Sequence, residues 1–254
     1  MARLRDRCAL VTGAGSGFGA GIARVFCQEG AKVCVADISE DTARAVAEEL
    51  CAAGGDAFGA TIDVTDENSL NAGIANCREK FGGIDTVVAN AGIGQRPVAI
   101  SDMGVDEVRR QFETNAVGVV QTCQAALPAL REANNASIVI TVSGIALVPR
   151  PQLYGYGMAK AAAAYFMKSL ALELAPENIR VNGLFPAVGD TPMLAEFAGG
   201  SLTDDDADGF ANALPLGKLI TPEDVGNAAV FLASPSEAAM LTGCALPVDA
   251  GRCI

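Results

Sequence analysis

Residues 12–19 read Thr12-Gly13-Ala14-Gly15-Ser16-Gly17-Phe18-Gly19 and join the apolar run 8–11 to a helical pattern at Ile22, Val25 and Phe26. A glycine-rich turn between strand and helix lets backbone N–H groups approach a pyrophosphate at the helix N-terminus. The glycine spacing differs from G-x-G-x-x-G, and glycines alone also suit a plain tight turn. The strand–turn–helix order is the context that a dinucleotide site requires, and it is present here.

The rest of the chain repeats this alternation of strand and helix. Apolar runs predict strands at 32–37, 57–62, 84–89, 137–142, 179–185 and 245–248. Amphipathic stretches predict helices at about 40–53, 66–80, 104–131, 153–176 and 222–233. The pattern therefore predicts an α/β fold, a doubly wound parallel sheet of Rossmann-like type in three layers, with residues 1–254 forming a single domain.

Composition narrows the class of protein. The chain has 254 residues, of which half are hydrophobic and 19% charged, so it can bury a sizeable core. A net charge of −12 argues against a nucleic-acid partner. The eight cysteines form no CxxC pair and are expected to be reduced packing residues. With no secretory signal and no apolar run long enough to span a membrane, we expect a cytoplasmic protein.

Histidine is absent from the chain. That excludes a Ser-His-Asp hydrolase, a histidine general base and histidine metal ligands, and we expect no metal site. Acid–base chemistry must then come from Tyr, Lys, Asp, Glu or Cys side chains.

Tyr156 and Lys160 are the candidates for that chemistry, with Ser143 upstream. A lysine four residues after a tyrosine lies on the same helix face, and its ammonium group would lower the pKa of the phenol. Ser143 follows a predicted strand, at the sheet edge where ligands of parallel sheets bind. Alone, the Tyr–Lys pair also fits a surface position on an alanine-rich helix.

Two polar residues have both a structural and a functional interpretation. Asp37 ends the second predicted strand, 18 residues after Gly19. A carboxylate there can accept both ribose hydroxyls of an adenosine and repels a 2′-phosphate, which favours NAD over NADP. It also suits the N-cap of the following helix. Asn115, inside a predicted helix, is either a satisfied packing residue or a residue that orders a water near the active site.

Residues 187–221 lack periodicity and are interpreted as a substrate lid. Apolar side chains alternate there with the run Asp204-Asp205-Asp206, which suits a solvated face.

These motifs together resemble the NAD(P)-dependent short-chain dehydrogenase/reductase family over essentially the whole chain. Residues 12–19 resemble its T-G-x-x-x-G-x-G turn, and Asn90-Ala91-Gly92 resembles the end of its N-N-A-G motif. Asn115, Ser143, Tyr156 and Lys160 fall where its catalytic tetrad falls, including the 13-residue step from Ser143 to Tyr156 (156 − 143 = 13).

The resemblance implies a set of roles. Tyr156 would be the acid/base, Lys160 would lower its pKa and bind the nicotinamide ribose, Ser143 would hold the substrate oxygen, and Asn115 would support a water relay. Cofactor contacts are implied for Gly13, Ser16, Gly17, Phe18, Gly19, Asp37, Asp63, Val64, Asn90, Ala91, Gly92, Tyr156, Lys160, Pro186, Val188 and Thr191. The resemblance also implies a homo-oligomer, a tetramer or possibly a dimer.

The leading hypothesis is an NAD-dependent oxidoreductase that moves a hydride between nicotinamide and a secondary alcohol or ketone. An NADPH-dependent 3-oxoacyl reductase and a cofactor-binding regulator or scaffold without catalysis are the alternatives. Three family positions differ, because Ala89, Ala187 and Ala250 replace the usual Asn, Gly and Gly. Arg96 and Arg150 lie on loops expected beside the cleft, where they could hold an anionic group, be solvated or make subunit contacts.

Overall fold

The computed structural model describes residues 2–254. Its strands are β1 (Cys8–Thr12), β2 (Lys32–Asp37), β3 (Asp56–Thr61), β4 (Thr86–Ala89), β5 (Ser137–Thr141), β6 (Arg180–Pro186) and β7 (Ala245–Val248). Its α-helices are α1 (Gly17–Gln28), α2 (Glu40–Ala52), α3 (Glu67–Phe81), α4 (Val105–Phe112), α5 (Gly118–Glu132), α6 (Tyr154–Leu174), α7 (Leu194–Phe197), α8 (Asp204–Asn212) and α9 (Pro222–Ala233).

The seven strands form one parallel sheet in the order β3-β2-β1-β4-β5-β6-β7. The chain begins near the middle, builds one edge, then crosses back to place β4 beside β1. Strand order reverses at that point, and ligands of such sheets bind in the crevice beyond the carboxyl ends of the strands. The predicted fold class, a doubly wound parallel sheet, is confirmed.

Two apolar layers cover the two faces of the sheet. Successive strand residues alternate between faces, so Leu10 packs in one cluster and its neighbour Val11 in the other. Buried residues of α3, α5 and α6 fill the first cluster, and those of α1, α2 and α9 fill the second. The strands are therefore buried on both sides, which fixes their carboxyl ends as a rigid edge.

Side chains cap the N-termini of some helices but not that of α1. Ser39, Asp66 and Thr221 accept N–H bonds from the first turns of α2, α3 and α9. Ser16 precedes α1 but makes no side-chain bond to its first turn. The first N–H groups of α1 also have no partner within the helix, so they are available to an anion.

The stretch 104–131, expected as one helix, is interrupted. A π-helical turn at Glu113–Val117 separates α4 from α5 and contains Asn115. A π turn adds a residue to the helix, which changes the direction of the side chains beyond it. The expected lid 187–221 contains two short helices, α7 and α8, rather than irregular chain throughout.

Within residues 2–254, no helix has the length and apolar character needed to cross a membrane.

Candidate active site

A cavity of about 940 Å³ lies at the carboxyl ends of the central strands. All the residues expected to contact a cofactor line it: Gly13, Ser16, Gly17, Phe18, Gly19, Asp37, Asp63, Val64, Asn90, Ala91, Gly92, Tyr156, Lys160, Pro186, Val188 and Thr191. Ser143 lines it too. The sheet topology thus brings residues from 13 to 191 to one edge, as the reversal of strand order requires.

The glycine turn shapes one end of this cavity. Gly13 and Gly17 have φ of +62° and +52°, values that disfavour a side chain. A Cβ at Gly19 would overlap the Gly13 carbonyl oxygen and lie 2.6 Å from the Asn90 amide nitrogen. The glycines therefore leave the backbone of the turn accessible beside the Ser16 and Phe18 side chains, with the uncapped first turn of α1 behind it. This is a cradle that fits a pyrophosphate.

Asp37 orders the same turn. Its carboxylate accepts the N–H of Gly15 at 2.9 Å and of Ser39 at 3.1 Å. Ser39, rather than Asp37, is the N-cap of α2. The N-cap interpretation of Asp37 is therefore wrong, and its carboxylate is free to meet a ligand in the cavity.

Asn90 ties β4 to the glycine turn. Its side-chain amide donates to the carbonyls of Thr12 at 3.0 Å and Gly13 at 3.3 Å. The Thr12 hydroxyl oxygen in turn accepts the N–H groups of Asn90 and Ala91, each at 3.1 Å. These bonds hold the floor of the cavity in place without using the Asn90 side-chain oxygen.

Tyr156 and Lys160 lie in the first turns of α6, on the face that packs against the sheet. Both are buried, with exposed fractions of 7% and 3%. The Lys160 ammonium donates to the Thr141 carbonyl at 3.0 Å and lies 5.9 Å from the centre of the Tyr156 ring. The interpretation of the pair as an exposed feature of an alanine-rich helix is thus wrong.

Asn115 is the one tetrad candidate that does not line the cavity. It is fully buried and exchanges two hydrogen bonds with the backbone of Ile93, accepting at 3.1 Å and donating at 3.0 Å. A Cβ at Gly92 would lie 2.6 Å from its side-chain oxygen and 3.4 Å from the Lys160 nitrogen. Asn115 thus lies near Lys160, with the backbone at Gly92 close to both.

Burial governs the titration of the central groups. It raises the pKa of Tyr156, an effect that the hydrogen-bonding Ser143 hydroxyl opposes. It lowers the pKa of Lys160 to about 8. The expectation that Lys160 lowers the pKa of Tyr156 is wrong for this site without ligand, because desolvation dominates and the ammonium is directed at Thr141. Burial therefore disfavours the charged form of both groups, although a pKa of about 8 leaves Lys160 mostly protonated at pH 7.

The chain is similar to known proteins over nearly its whole length. A family model described as "Enoyl-(Acyl carrier protein) reductase" matches residues 13–252. Curated relatives are similar over nearly their full length. A 4-formylbenzenesulfonate dehydrogenase of Comamonas testosteroni is 39% identical over 98% of this chain and 98% of its own.

The chain belongs to the short-chain dehydrogenase/reductase family. A 2,5-dichloro-2,5-cyclohexadiene-1,4-diol dehydrogenase of Sphingobium indicum is 37% identical over 98% of this chain and 97% of its own. Among solved structures, a 3-ketoacyl-(acyl-carrier-protein) reductase of Brucella melitensis complexed with NADH aligns with a TM-score of 0.90. It is 37% identical and covers 99% of this chain and 100% of that one.

As a member of the short-chain dehydrogenase/reductase family, the protein is an oxidoreductase that acts on CH–OH groups with a nicotinamide cofactor. The four residues implied as the family's tetrad are all present, and Ser143, Tyr156 and Lys160 line the same cavity as the glycine turn. The hypothesis of a scaffold without catalysis therefore has no missing residue to support it.

Two glutamines that sequence reasoning missed form hydrogen bonds with Tyr156 and Asn115. The Gln95 side-chain oxygen accepts the Tyr156 N–H at 2.8 Å, in the first turn of α6. The Gln111 side-chain oxygen accepts from the Asn115 amide at 2.7 Å, and its own amide donates to the Gly94 carbonyl at 2.6 Å. Both glutamines are buried. The four-residue spacing from Gln111 to Asn115 places both on one helix face, and this spacing could have predicted their contact.

The two arginines expected near the cleft differ. Arg150 lines the cavity, whereas Arg96 lies outside it, against Gly200. Arg252, which sequence reasoning missed, lines the cavity as well. The lid adds apolar side chains to the wall, of which Phe197 packs edge-on against the Tyr156 ring at 5.4 Å.

Proposed function

We propose that this enzyme is an NAD-dependent dehydrogenase of secondary alcohols in which Tyr156 is the general acid/base. The observation that carries the proposal is the grouping of Ser143 with the buried Tyr156 and Lys160 in a cavity whose other end is the glycine turn. A reacting carbon that lies between these two ends is close to both a proton acceptor and the nicotinamide.

Each tetrad residue has a distinct task in the proposal. Tyr156 takes the alcohol proton during oxidation and returns it during reduction. Ser143 holds the substrate oxygen with its hydroxyl. Lys160 donates hydrogen bonds to the nicotinamide ribose, and Asn115 shapes the backbone at Ile93 beside it. NAD, when bound, supplies the hydride transfer and a positive charge that favours the phenolate form of Tyr156.

NAD is preferred over NADP in this proposal because of Asp37. A carboxylate that already holds the turn through Gly15 faces the region where an adenosine ribose would lie. Ribose hydroxyls can donate to it, and a 2′-phosphate would be repelled by it. The ratio of kcat/KM for NAD to that for NADP should exceed about tenfold. Asp37→Ser should lower that ratio, and a wild-type preference for NADP would overturn this choice.

Ring-bearing secondary alcohols are the proposed substrates. The lid side of the cavity is largely apolar, with Leu153, Met193, Phe197 and Leu214 in its wall. The cyclohexadiene-diol dehydrogenase among the relatives has such a substrate in its name. We further propose that residues 187–221 close over the substrate and that the enzyme works in the cytoplasm as a homotetramer.

A second candidate is reduction of 3-oxoacyl thioesters. It is favoured by the similarity to a 3-ketoacyl-(acyl-carrier-protein) reductase. Assays with acetoacetyl-CoA and both reduced cofactors separate the candidates. Turnover of the thioester at a kcat/KM above that of every ring ketone would select the second.

The experiment that tests the proposal replaces Tyr156 with Phe. The phenol hydroxyl is the proposed proton donor, so kcat for oxidation of cyclohexanol should fall by about 10³-fold or more. NADH binding, measured by quenching or transfer of its fluorescence, should change by less than about threefold, since the ring and its packing on Phe197 stay. A variant that retains more than a tenth of wild-type kcat would exclude Tyr156 as the acid/base.

A further inference from the structure

Two arginines in the cavity wall have no partner within residues 2–254. Most arginines of this acidic protein make ion pairs: Arg3, Arg7, Arg24, Arg44, Arg78, Arg109, Arg110 and Arg131. Arg150 and Arg252 line the cavity, yet in the described chain neither guanidinium group donates a hydrogen bond or lies within 4.0 Å of a carboxylate oxygen. Both side chains are exposed, so their guanidinium groups are accessible to an anion in the cavity.

Arg150 is attached to the catalytic groups through the backbone. It lies between Ser143 and Tyr156, seven residues after the first and six before the second (150 − 143 = 7; 156 − 150 = 6). Its loop ends at the buried Leu153, immediately before α6. The guanidinium group is therefore held at the substrate end of the cavity rather than at the glycine turn.

Arg252 approaches Arg150 from the C-terminal end of the chain. Arg150 is an exposed residue, but partial desolvation of its guanidinium group lowers its pKa and the charge of Arg252 lowers it further, so the two groups repel each other. The Asp249 carboxylate, three residues before Arg252, makes no ion pair with either arginine, and its oxygens accept the N–H groups of Gly251 and Cys253, both at 2.9 Å. A bound anion between the two arginines would relieve their repulsion.

Phe210 on α8 makes a cation–π contact with Arg150. The guanidinium carbon lies over the Phe210 ring, 5.3 Å from its centre. A cation–π contact uses no N–H donor, so the donors of Arg150 remain available to a carboxylate or sulfonate. The lid therefore contacts Arg150 without using its donors.

Acidic groups in the same wall limit where an anion can bind. Asp205 and Asp206, in the first turn of α8, also line the cavity. Asp206 is held by the Thr203 hydroxyl at 2.6 Å in a capping box. Both carboxylates would repel an anion, so the anionic group must lie on the side of the two arginines.

We propose that Arg150 and Arg252 bind a carboxylate or sulfonate group of the substrate, so that the enzyme acts on ring-bearing secondary alcohols that carry an anionic substituent away from the hydroxyl. This inference rests on the proposed dehydrogenase function and adds the substrate class. The apolar wall holds the ring, Ser143 and Tyr156 hold the alcohol, and the arginines hold the far end.

The test compares two substrates that differ in charge and by one methyl group: 4-hydroxycyclohexanecarboxylate and its methyl ester, each with NAD. Wild-type kcat/KM should be at least about tenfold higher for the acid. Arg150→Gln and Arg252→Gln should each lower kcat/KM for the acid by about tenfold, mainly through KM, and for the ester by less than about twofold. Asp205→Asn should raise the value for the acid.

Arg96→Gln is the matched control. It removes the same charge from a neighbouring loop but outside the cavity, so it should leave the acid-to-ester ratio unchanged. A second readout is calorimetric titration of the protein–NAD complex with cyclohexanecarboxylate, which cannot react. Binding should weaken by about tenfold in Arg150→Gln and not in Arg96→Gln.

The outcomes separate this inference from the function on which it rests. Equal kcat/KM for acid and ester, or an equal loss of both in Arg150→Gln, would overturn the anion site while leaving the alcohol dehydrogenase intact. Weaker NAD binding in Arg150→Gln, with an unchanged acid-to-ester ratio, would overturn it too. Failure to oxidise the acid, the ester and cyclohexanol alike would overturn the proposed function, and the inference with it.

Discussion

The glycine turn at 12–19 and the segment 187–221 face the same cavity but are held in different ways. The turn is fixed by backbone bonds, such as Ala14 N–H to the Ala36 carbonyl at 2.9 Å, and by the Asn90 side chain. Helix α8 in the second segment has no buried residue. Aromatic contacts link that segment to the rest of the site, Phe197 with Tyr156 and Phe210 with Arg150.

This difference matches what each region has to bind. A nucleotide has the same shape in every turnover, so a rigid backbone cradle binds it with little entropy to lose. Substrates must enter and leave, and segments that move are drawn from the least stable parts of a fold. Side chains on a weakly anchored segment can also change during evolution without disturbing the sheet.

The same substitution in the two regions should therefore have opposite effects, and this is the largest difference we expect. Gly19→Ala places a methyl group against the Gly13 carbonyl and the Asn90 amide, inside the turn. NADH affinity should fall by about a hundredfold, roughly the loss of two charge-assisted hydrogen bonds, and the Tm should fall. Fluorescence titration with NADH and a thermal melt measure both.

Gly209→Ala is the matched control, because Gly209 lies in α8 and a Cβ there meets no atom within 4 Å. Alanine is the better helix former, so the variant should be more stable by about 0.5–1 kcal/mol, with NADH affinity unchanged. If both variants behaved alike, the two regions would not differ in rigidity as described.

The fold could be predicted almost entirely from sequence because its signals are local. Buried strands in parallel sheets are continuous apolar runs, and α9 and β7 were placed at their observed bounds by a proline at the helix start and an apolar run. The π-helical turn around Asn115 could not be predicted, because it depends on bonds between the Asn115 side chain and Ile93, 22 residues away in the chain.

The residues of the candidate site also differ in how well they could be predicted from sequence. Residues in the glycine turn, and those at strand ends, were predictable because the carboxyl ends of parallel strands meet at one edge of the sheet. Gln95 and Arg252 were missed, since each reaches the site from a loop whose position depends on tertiary packing. The pKa of Tyr156 was predicted in the wrong direction, because sequence spacing shows Lys160 nearby but not the burial of both.

A lid variant should produce a smaller, selective effect. Phe197→Ala removes the edge-on contact with Tyr156 and part of the apolar wall. KM for cyclohexanol should rise about five- to tenfold, which is the loss of one partly buried aromatic contact, and NADH affinity should change by less than about twofold. Phe58→Ala is the control, since it breaks a similar aromatic pair with Phe81 far from the cavity and should lower Tm without changing KM. An equal rise in KM in both would contradict a lid role.

Lys160 should lower the stability of the fold at neutral pH, so that its replacement stabilises the protein while removing activity. In the folded protein its pKa is about 8, below the value of about 10.4 in an unfolded chain. Below pH 8 both states are protonated, and the fold must hold a desolvated charge. Between pH 8 and about 10.4 the folded state releases its proton first, so the stability of the wild type rises with pH in that window.

Lys160→Met removes the desolvated charge, although it also removes the 3.0 Å hydrogen bond to the Thr141 carbonyl. At pH 7 the variant should be inactive yet more stable, by about 1–2 kcal/mol or a few degrees in Tm. Its advantage should shrink as pH rises from 8 to 10, because the wild-type lysine is by then neutral. Denaturant unfolding of both proteins at pH 7 and pH 9.5 measures the change. The prediction would be contradicted if the difference in unfolding free energy between variant and wild type were the same at both pH values. It would also be contradicted if the variant were less stable at pH 7. Either result would mean that the buried charge of Lys160 does not destabilise the folded protein.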